Sequence, residues 1–304
     1  MKERRALFIV NRNCRQGKSD LSTIIDTLSE SGLQVVPEYP GSIEQSSALI
    51  REQAAKFDLL ILGGGDGTLR GAIRAVLESG RPLGVLPLGT ANDLARGLGI
   101  PTDPVAAARA IAAGFEHRID LGVVNGSYFF NASSIGLGVD VTRQLSYEMK
   151  QRWGVLSYPR ALWVAVRNAR SFGAEIFCDG ERHYVRSIQV TVGNGRFYGG
   201  GMTLHAEAAL DDQRLDVYSL KPQPWWRLLH LLPALRRGTQ ADFENAVVFH
   251  GKRIEIRTSR PRMVTADGEM VSRTPAIYEV VPAALTVLVP QNAQQAIGLS
   301  NVAQ

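Results

Sequence analysis

Apolar and polar residues alternate in two different ways along the chain, and the first way occupies residues 1–120. Short apolar runs are followed by stretches in which apolar residues recur every three or four positions, as on one face of a helix. The run at 58–62 is apolar almost throughout, which is typical of a strand buried on both faces. The pattern predicts strands at 6–10, 33–36, 58–62 and 83–86, and helices at 19–32, 46–56, 68–78, 92–98 and 104–113. This alternation predicts a doubly wound α/β domain around a parallel sheet.

After about residue 120 the pattern changes to short strands separated by turns. Asn125-Gly126 and Asp179-Gly180 each lie between strand-like runs, and such pairs favour tight hairpin turns. Further strands are predicted at 128–131, 175–178, 187–192, 215–220, 247–250, 253–257 and 285–289. This half is therefore predicted to be an antiparallel β-sandwich, with helical insertions at 140–170 and 224–237.

The length of 304 residues favours two domains. We place the first domain at 1–122 and the second at 123–290, with the tail at 291–304 either loose or joined to the first domain. Hydrophobic residues make up 45% of the chain and charged residues 21%, values of an ordinary globular protein. Disordered, collagen-like and coiled-coil proteins are thereby excluded.

Positive charge is concentrated in the second part of the chain. Residues 1–122 carry 14 Lys and Arg against 14 Asp and Glu, whereas residues 123–304 carry 20 against 15. Such a one-sided excess indicates an anionic partner, either nucleic acid or a membrane surface. The two cysteines, Cys14 and Cys178, form no disulfide framework, and no apolar run reaches the roughly 18 residues of a spanning helix. A reducing cytoplasm is the expected location.

A glycine-rich turn, Gly63-Gly64-Gly65-Asp66-Gly67-Thr68, follows the predicted buried strand and opens a helix. Consecutive glycines allow close backbone approach, and the first N–H groups of a helix attract anions, so the turn is suited to holding phosphate. Its spacing differs from the dinucleotide-binding fingerprint, and a simple tight turn would also explain three glycines. Asp66 favours the functional reading, because a carboxylate beside phosphate must hold Mg²⁺ or handle a proton.

A second polar turn, Pro87-Leu88-Gly89-Thr90-Ala91-Asn92-Asp93, follows the next predicted strand. Thr90 and Asn92 could donate to phosphate or ribose, and Asn92 or Asp93 could cap the helix that follows. Far along the chain, Asp267-Gly268-Glu269 reads on its own as a hairpin turn.

Together these motifs resemble the catalytic domain of the diacylglycerol kinase and sphingosine kinase superfamily. The later Asp-Gly-Glu makes the chain most similar to the bacterial YegS-type lipid kinases, over roughly residues 5–290. The resemblance implies a nucleotide-binding α/β domain, a β-sandwich that holds the lipid, and ATP in the cleft between them.

The resemblance also implies roles for individual residues. Ser42 and Thr90 would contact the nucleotide, and Glu269 matches the family's proton acceptor, with Asp66 as a second candidate. The ATP phosphates would be wrapped by Gly64, Gly65, Asp66, Gly67, Thr68, Leu69 and Arg70. A Mg²⁺ site would use Ala209, Asp212 and Arg214, in which only Asp212 need contribute its side chain.

Three positions depart from the family pattern. Arg70-Gly71 stand where the family usually has Asn-Glu, and Asn11-Arg12 stand in place of Asn-Pro. Gln213 replaces a glycine after Asp212, which predicts a strained turn with positive φ. The metal site is therefore less well supported than the nucleotide site.

The leading hypothesis is an ATP-dependent kinase that acts on a hydroxyl of a membrane lipid such as diacylglycerol, phosphatidylglycerol or a sphingoid-like lipid. The alternatives are a soluble-substrate kinase of NAD-kinase type and a non-catalytic regulator that binds nucleotide or lipid. Expected partners are ATP, the lipid and an anionic membrane surface contacted peripherally, with no nucleic acid. Residues 224–237, with Trp225 and Trp226, read either as a helix packed on the sandwich or as a membrane-contacting helix.

Overall fold

The computed structural model describes residues 4–10, 19–144, 169–199, 201–203, 208–224, 246–291 and 293. The predicted insertion at 140–170 begins within helix α6 (Leu137–Gln144), and residues 145–168 lie outside the described part of the chain. Residues 225–245, including Trp225 and Trp226, also lie outside it.

The first part of the chain folds as the predicted α/β domain. Its first four strands are β1 (Arg4–Val10), β2 (Leu33–Glu38), β3 (Leu59–Gly64) and β4 (Leu83–Pro87). They are parallel and lie in the order β2-β1-β3-β4. The helices are α1 (Ser19–Glu30), α2 (Ile43–Gln53), α3 (Asp66–Ser79), α4 (Asp93–Gly97) and α5 (Pro104–Ala113), with a short 3-10 helix (Ala54–Lys56) after α2. All six residues of β3 are buried, as the apolar run predicted.

Two predicted helix starts are corrected by the structure. Helix α2 begins at Ile43 rather than 46, because Ser42 caps it and its side chain accepts a hydrogen bond from the Gln45 amide at 3.2 Å. Helix α3 begins at Asp66 rather than 68, directly after the extended residue Gly65. The glycine-rich turn is thus shorter than predicted, and part of its motif is the first helical turn.

The second part of the chain consists mainly of strands. They are β5 (Phe115–Val124), β6 (Ser127–Phe129), β7 (Ala132–Gly136), β8 (Phe172–Cys178), β9 (Glu181–Ser187), β10 (Gln189–Gly193), β11 (Phe197–Tyr198), β12 (Met202–Thr203), β13 (Leu215–Leu220), β14 (Ala246–Gly251), β15 (Arg253–Thr258), β16 (Met263–Ala266), β17 (Glu269–Arg273) and β18 (Ala276–Val289). Six of them form an antiparallel sheet in the order β14-β13-β10-β7-β16-β17. This sheet faces strands β8, β9, β15 and the first half of β18, which extend the first sheet. A shared apolar core lies between the two layers, as predicted for a β-sandwich.

Both predicted hairpin turns are present. Asn125 and Gly126 have φ values of 46° and 79°, and Asp179 and Gly180 have φ values of 47° and 94°. The Asn125 side chain also accepts a hydrogen bond from the Ile277 amide at 2.9 Å, which ties the turn to β18. Asn and Asp tolerate the left-handed conformation better than other non-glycine residues, so these sequence pairs fixed the turns locally.

Strand β18 joins the two parts of the molecule. Near its start, Ala276 and Tyr278 belong to the sandwich core, whereas Val287 and Val289 belong to the core of the α/β domain. It pairs with β5 along most of its length and meets β4 through Val287 and Leu83. Ala293 of the tail is buried in the α/β core. The predicted domain division at residue 122 falls within β5 and stays a prediction.

None of the helices in the described ranges is both long enough and apolar enough to cross a bilayer.

Candidate active site

The two polar turns predicted from the sequence lie against each other. They follow β3 and β4, which are neighbours in the sheet, and the Leu88 amide donates to the Gly64 carbonyl at 3.0 Å. A Cβ atom on Gly65 would lie 3.1 Å from Gly89 Cα, and one on Gly89 would collide with Gly65. Glycine is required at this contact because the backbones themselves touch.

Helix α3 presents its first turn at this junction. The Gly65 carbonyl accepts from the amides of Thr68 and Leu69, at 2.9 and 3.1 Å, and Gly65 supplies no side chain to cap the helix. The N–H groups of Asp66 and Gly67 precede the first of these intrahelical bonds, so they are available to an anion. Together with the positive end of the helix dipole, this is the local chemistry that phosphate binding requires.

The Asp66 side chain connects the two turns. Its Oδ1 atom accepts a hydrogen bond from the Leu94 amide, at 3.2 Å, in the first turn of α4. The predicted roles of Asp66 in holding Mg²⁺ or accepting a proton stay predictions.

Of the two polar residues predicted to contact the nucleotide in the second turn, Asn92 is buried and Thr90 is exposed. Asn92 is 8% exposed and has a left-handed backbone. Its Oδ1 atom accepts from the Gly89 N–H and its Nδ2 atom donates to the Gly89 carbonyl, both at 3.0 Å. It therefore closes its own turn and gives α4 no side-chain cap, contrary to one of the roles considered for it. Thr90 is exposed at the tip of the turn, where its hydroxyl is accessible to a nucleotide.

Glu269 reaches the same junction from the other half of the molecule. It begins β17, and its Oε1 atom would lie 3.1 Å from a Cβ atom on Gly67 in the first turn of α3. Its Oε2 atom forms an ion pair with Nη2 of Arg70. The structure thus brings together two predicted site residues that are 199 positions apart in the chain.

Arg70 is more buried than Glu269, its partner in this ion pair. Its side chain is 16% exposed, and its Nε atom has no hydrogen-bond partner among the described residues. Burial lowers the pKa of Arg70, and the negative charge of Asp267 opposes that shift. Arginine nevertheless stays protonated in proteins, so a positive charge lies beside the first turn of α3.

Asp267 was predicted only as part of a hairpin turn, and its wider role was missed. The turn is confirmed, with φ values of 43° at Asp267 and 79° at Gly268. The carboxylate also accepts hydrogen bonds from the amides of Phe130, Asn131 and Ala132, at 2.8, 2.9 and 3.2 Å. These bonds fix the hairpin that carries Glu269. The available signal was an Asp-Gly pair just before the candidate base.

Burial raises the pKa of Asp267 to about 6. Its three amide partners lower the pKa, and the nearby negative charge of Asp66 raises it further. The folded protein therefore favours the protonated carboxyl, and this stabilisation is present below about pH 4 and is lost as the pH rises through about 6. As the pH rises from about 4 to about 6, the unfolding free energy of wild type should fall by roughly 3 kcal/mol more than that of Asp267→Asn, which has no carboxyl group to titrate at this position. Urea unfolding of both proteins at several pH values measures the difference. A pH-independent difference would contradict the assignment.

Ser42 directly precedes Ile43, whose side chain fills the space next to Gly71 of α3. Its side chain caps α2, and its carbonyl accepts from the Ser46 amide at 3.0 Å. Capping explains the presence of Ser42, and the predicted nucleotide contact stays a prediction.

The predicted metal residues form a closed turn of their own. Asp212 accepts from the amides of Ala209 and Arg214, at 3.3 and 3.2 Å, and from Nε of Arg214 at 3.2 Å. Gln213 has a φ of 59°, as its replacement of glycine predicted, and its amide donates to Asp120 at 2.6 Å. Burial raises the pKa of Asp212.

This turn does not suit a resident Mg²⁺ ion. A guanidinium already lies on the carboxylate that would bind the metal, and two cations at one carboxylate repel each other. Within the described ranges, no group of three or more His, Cys, Asp or Glu side chains is arranged to hold a metal ion, but the implied site would use only one side chain, so the guanidinium is the observation that decides. No step of the reaction is therefore assigned to a metal bound at this turn.

Two family descriptions match most of the chain. "Diacylglycerol kinase catalytic domain" matches residues 5–124, and "YegS C-terminal NAD kinase beta sandwich-like domain" matches residues 133–289. The predicted family resemblance and the predicted succession of α/β and β-sandwich folds are thereby confirmed.

Named relatives cover nearly the whole chain. A "Probable lipid kinase YegS-like" protein of Pseudomonas aeruginosa is 33% identical over 93% of this chain and 94% of its own length. A "Diacylglycerol kinase" of Mycobacterium tuberculosis is 30% identical over 88% of this chain and 89% of its own length. A solved structure of a candidate diacylglycerol kinase from Bacillus anthracis is 26% identical, covers 96% of this chain and 97% of its own, and superposes with a TM-score of 0.82. The chain therefore belongs to the family of YegS-like and diacylglycerol kinases, and it is a lipid kinase.

Proposed function

We propose that this lipid kinase transfers the γ-phosphate of ATP to a hydroxyl group of a membrane lipid. The observation that carries the proposal is the position of the Glu269 carboxylate over Gly67, at the first turn of α3. A potential proton acceptor and a potential phosphate-binding helix end thus face the same space. The relatives named as diacylglycerol kinases make diacylglycerol the first acceptor to test.

In the proposed reaction, the glycine turns and the first N–H groups of α3 bind the ATP phosphates, and Thr90 and Ser42 contact the nucleotide. Mg²⁺ enters with ATP as part of the substrate and neutralises phosphate oxygens. Phosphoryl transfer needs mainly in-line positioning and charge neutralisation, and the partly buried positive charge of Arg70 contributes to the charge neutralisation.

Glu269 accepts the proton of the lipid hydroxyl. Its Oε2 atom is engaged by Arg70, whereas Oε1 faces the first turn of α3 and is the atom that takes the proton. The hydroxyl oxygen then bonds to the γ-phosphorus as the bond to the bridging β–γ oxygen breaks, and ADP leaves.

The test is transfer of label from γ-labelled ATP to lipids presented in vesicles. We expect label in the organic phase of an extract when diacylglycerol is present. Label transferred from ATP to another water-soluble product would favour a soluble acceptor of NAD-kinase type, and label that all remains in ATP would favour a non-catalytic binding protein. A parallel screen of phosphatidylglycerol, ceramide and long-chain bases identifies the acceptor.

We further propose that the enzyme works at an anionic membrane surface. The support is the excess of 20 basic over 15 acidic residues after residue 122. Basic residues near such a surface contribute about 1 kcal/mol each, and salt weakens the attraction. In the same vesicle assay, the rate should therefore rise with the fraction of anionic lipid and fall with added salt. Rates that ignore both variables would contradict membrane attraction.

A further inference from the structure

We propose that the side chain of Arg214 serves as a built-in cation for the turn at 209–214, in the place where the family resemblance implies Mg²⁺. The proposal concerns the folding and metal content of this turn. It is independent of the acceptor lipid and of the catalytic role of Glu269.

The first support is the arrangement of charges. Arg214 Nε lies 3.2 Å from Oδ2 of Asp212 and 3.7 Å from Oδ1 of Asp216. One guanidinium therefore lies between two carboxylates, as a shared divalent cation would. Asp216 is only 6% exposed on its side chain, and a buried carboxylate needs partners, which are Arg214 and, nearer to the same oxygen, His250 at 2.5 Å.

The second support is the backbone path that creates this arrangement. Gln213 is left-handed, with a φ of 59°, and reverses the chain between Asp212 and Arg214. Arg214 directly precedes β13 and Asp216 is the second residue of that strand, and this spacing of two residues lets both side chains reach the same face. The turn is also held from outside, because Asp120, which is 2% exposed, accepts from the amides of Gln213 and Ala283 at 2.6 and 2.7 Å.

The third support is the occupancy of the Asp212 oxygens. Oδ2 accepts from the Ala209 amide and Arg214 Nε, and Oδ1 accepts from the Arg214 amide. A divalent ion would have to displace the guanidinium and then compete with its charge. Removing the guanidinium should instead leave Asp212 and Asp216 as an uncompensated acidic pair, partly balanced by His250, which contacts Asp216. Such a pair attracts a divalent cation.

The experiment measures Mn²⁺ binding and thermal unfolding in the absence of nucleotide. Neither turnover nor metal bound to ATP then contributes to the result. Mn²⁺ is counted by electron paramagnetic resonance for wild type, Asp212→Asn, Arg214→Gln and the double variant. We expect equal binding by wild type and Asp212→Asn, and unfolding temperatures of wild type that do not differ between EDTA and Mg²⁺. Arg214→Gln should bind one more Mn²⁺ ion than wild type, at least 10-fold more tightly than wild type binds Mn²⁺ at this turn. Its unfolding temperature should be lower than that of wild type in EDTA and should return towards the wild-type value in Mg²⁺. The double variant should lose the additional ion.

Two results would overturn the proposal. One is a Mn²⁺ ion bound by wild type and lost in Asp212→Asn, which would show a resident metal beside Arg214. The other is a folded Arg214→Gln protein that gains no metal. If Arg214→Gln does not fold, the comparison of wild type with Asp212→Asn still decides, and Arg214→Lys, which keeps the charge, should remain folded and insensitive to EDTA.

Discussion

Replacement of Glu269 by glutamine is expected to lower kcat by about 100-fold or more, with little change in the KM for ATP. Glutamine has the same shape and keeps a carbonyl oxygen for Arg70, but it cannot take a proton from the lipid hydroxyl. The loss should therefore appear in the chemical step rather than in nucleotide binding. Steady-state kinetics at varied ATP and lipid concentrations measure both parameters.

Glu279→Gln is a matched control for this variant. Glu279 also forms an ion pair with an arginine, Arg253, but both side chains are about half exposed and lie on β18 and β15. Exposed pairs of this kind contribute about 1 kcal/mol or less to stability, so near-wild-type kinetics are expected. If Glu269→Gln also turned over at nearly the wild-type rate, Glu269 would be only a part of the turn.

A methyl group on Gly89 is expected to lower the unfolding free energy by about 1–3 kcal/mol. The added Cβ would collide with the Gly65 backbone and lie 2.8 Å from Asn92 Oδ1, which holds the second turn closed. The two turns must then separate. Because small displacements in a phosphate site have large kinetic effects, kcat/KM for ATP should fall by about 10-fold or more.

Gly97→Ala provides the comparison for Gly89→Ala. Gly97 lies at the end of α4, and among the described residues outside that helix a Cβ there meets only the end of the Leu210 side chain, at 3.2 Å, and no backbone atom. Only a small change in unfolding temperature and ATP kinetics is expected. Equal behaviour of the two variants would mean that the contact between the glycine turns is unimportant.

Much of the phosphate-binding side was predictable because it depends on local sequence. An apolar strand followed by glycines and a helical pattern specifies where β3 ends and α3 begins, to within two residues. Adjacent parallel strands then place both polar turns at the same edge of the sheet. The hairpin at Asn125-Gly126 was predictable for a similar reason, since few residue pairs accept its left-handed backbone.

The contacts that complete the site depend on distant parts of the chain and could not be read from spacing. Family resemblance placed Glu269 and Arg70 at the site, but only the fold shows that they pair. Asp267 gave no sign of binding three amides from 130–132, because nothing in its own neighbourhood specifies those partners. Asn92 was expected to donate to phosphate or ribose or to cap α4, whereas in the fold it bonds the backbone of Gly89, a role that its position in the sequence did not indicate.

Strand β18 has a consequence for the way the protein is made. The α/β core is built almost wholly from the first 121 residues, yet it also contains Leu285, Val287, Leu288 and Val289. While the chain emerges from the ribosome, β4 and β5 therefore lack their partner strand β18, which is synthesised more than 150 residues later. Neither core is complete until β18 has left the exit tunnel, so both halves finish folding only after this strand is synthesised and close around it together.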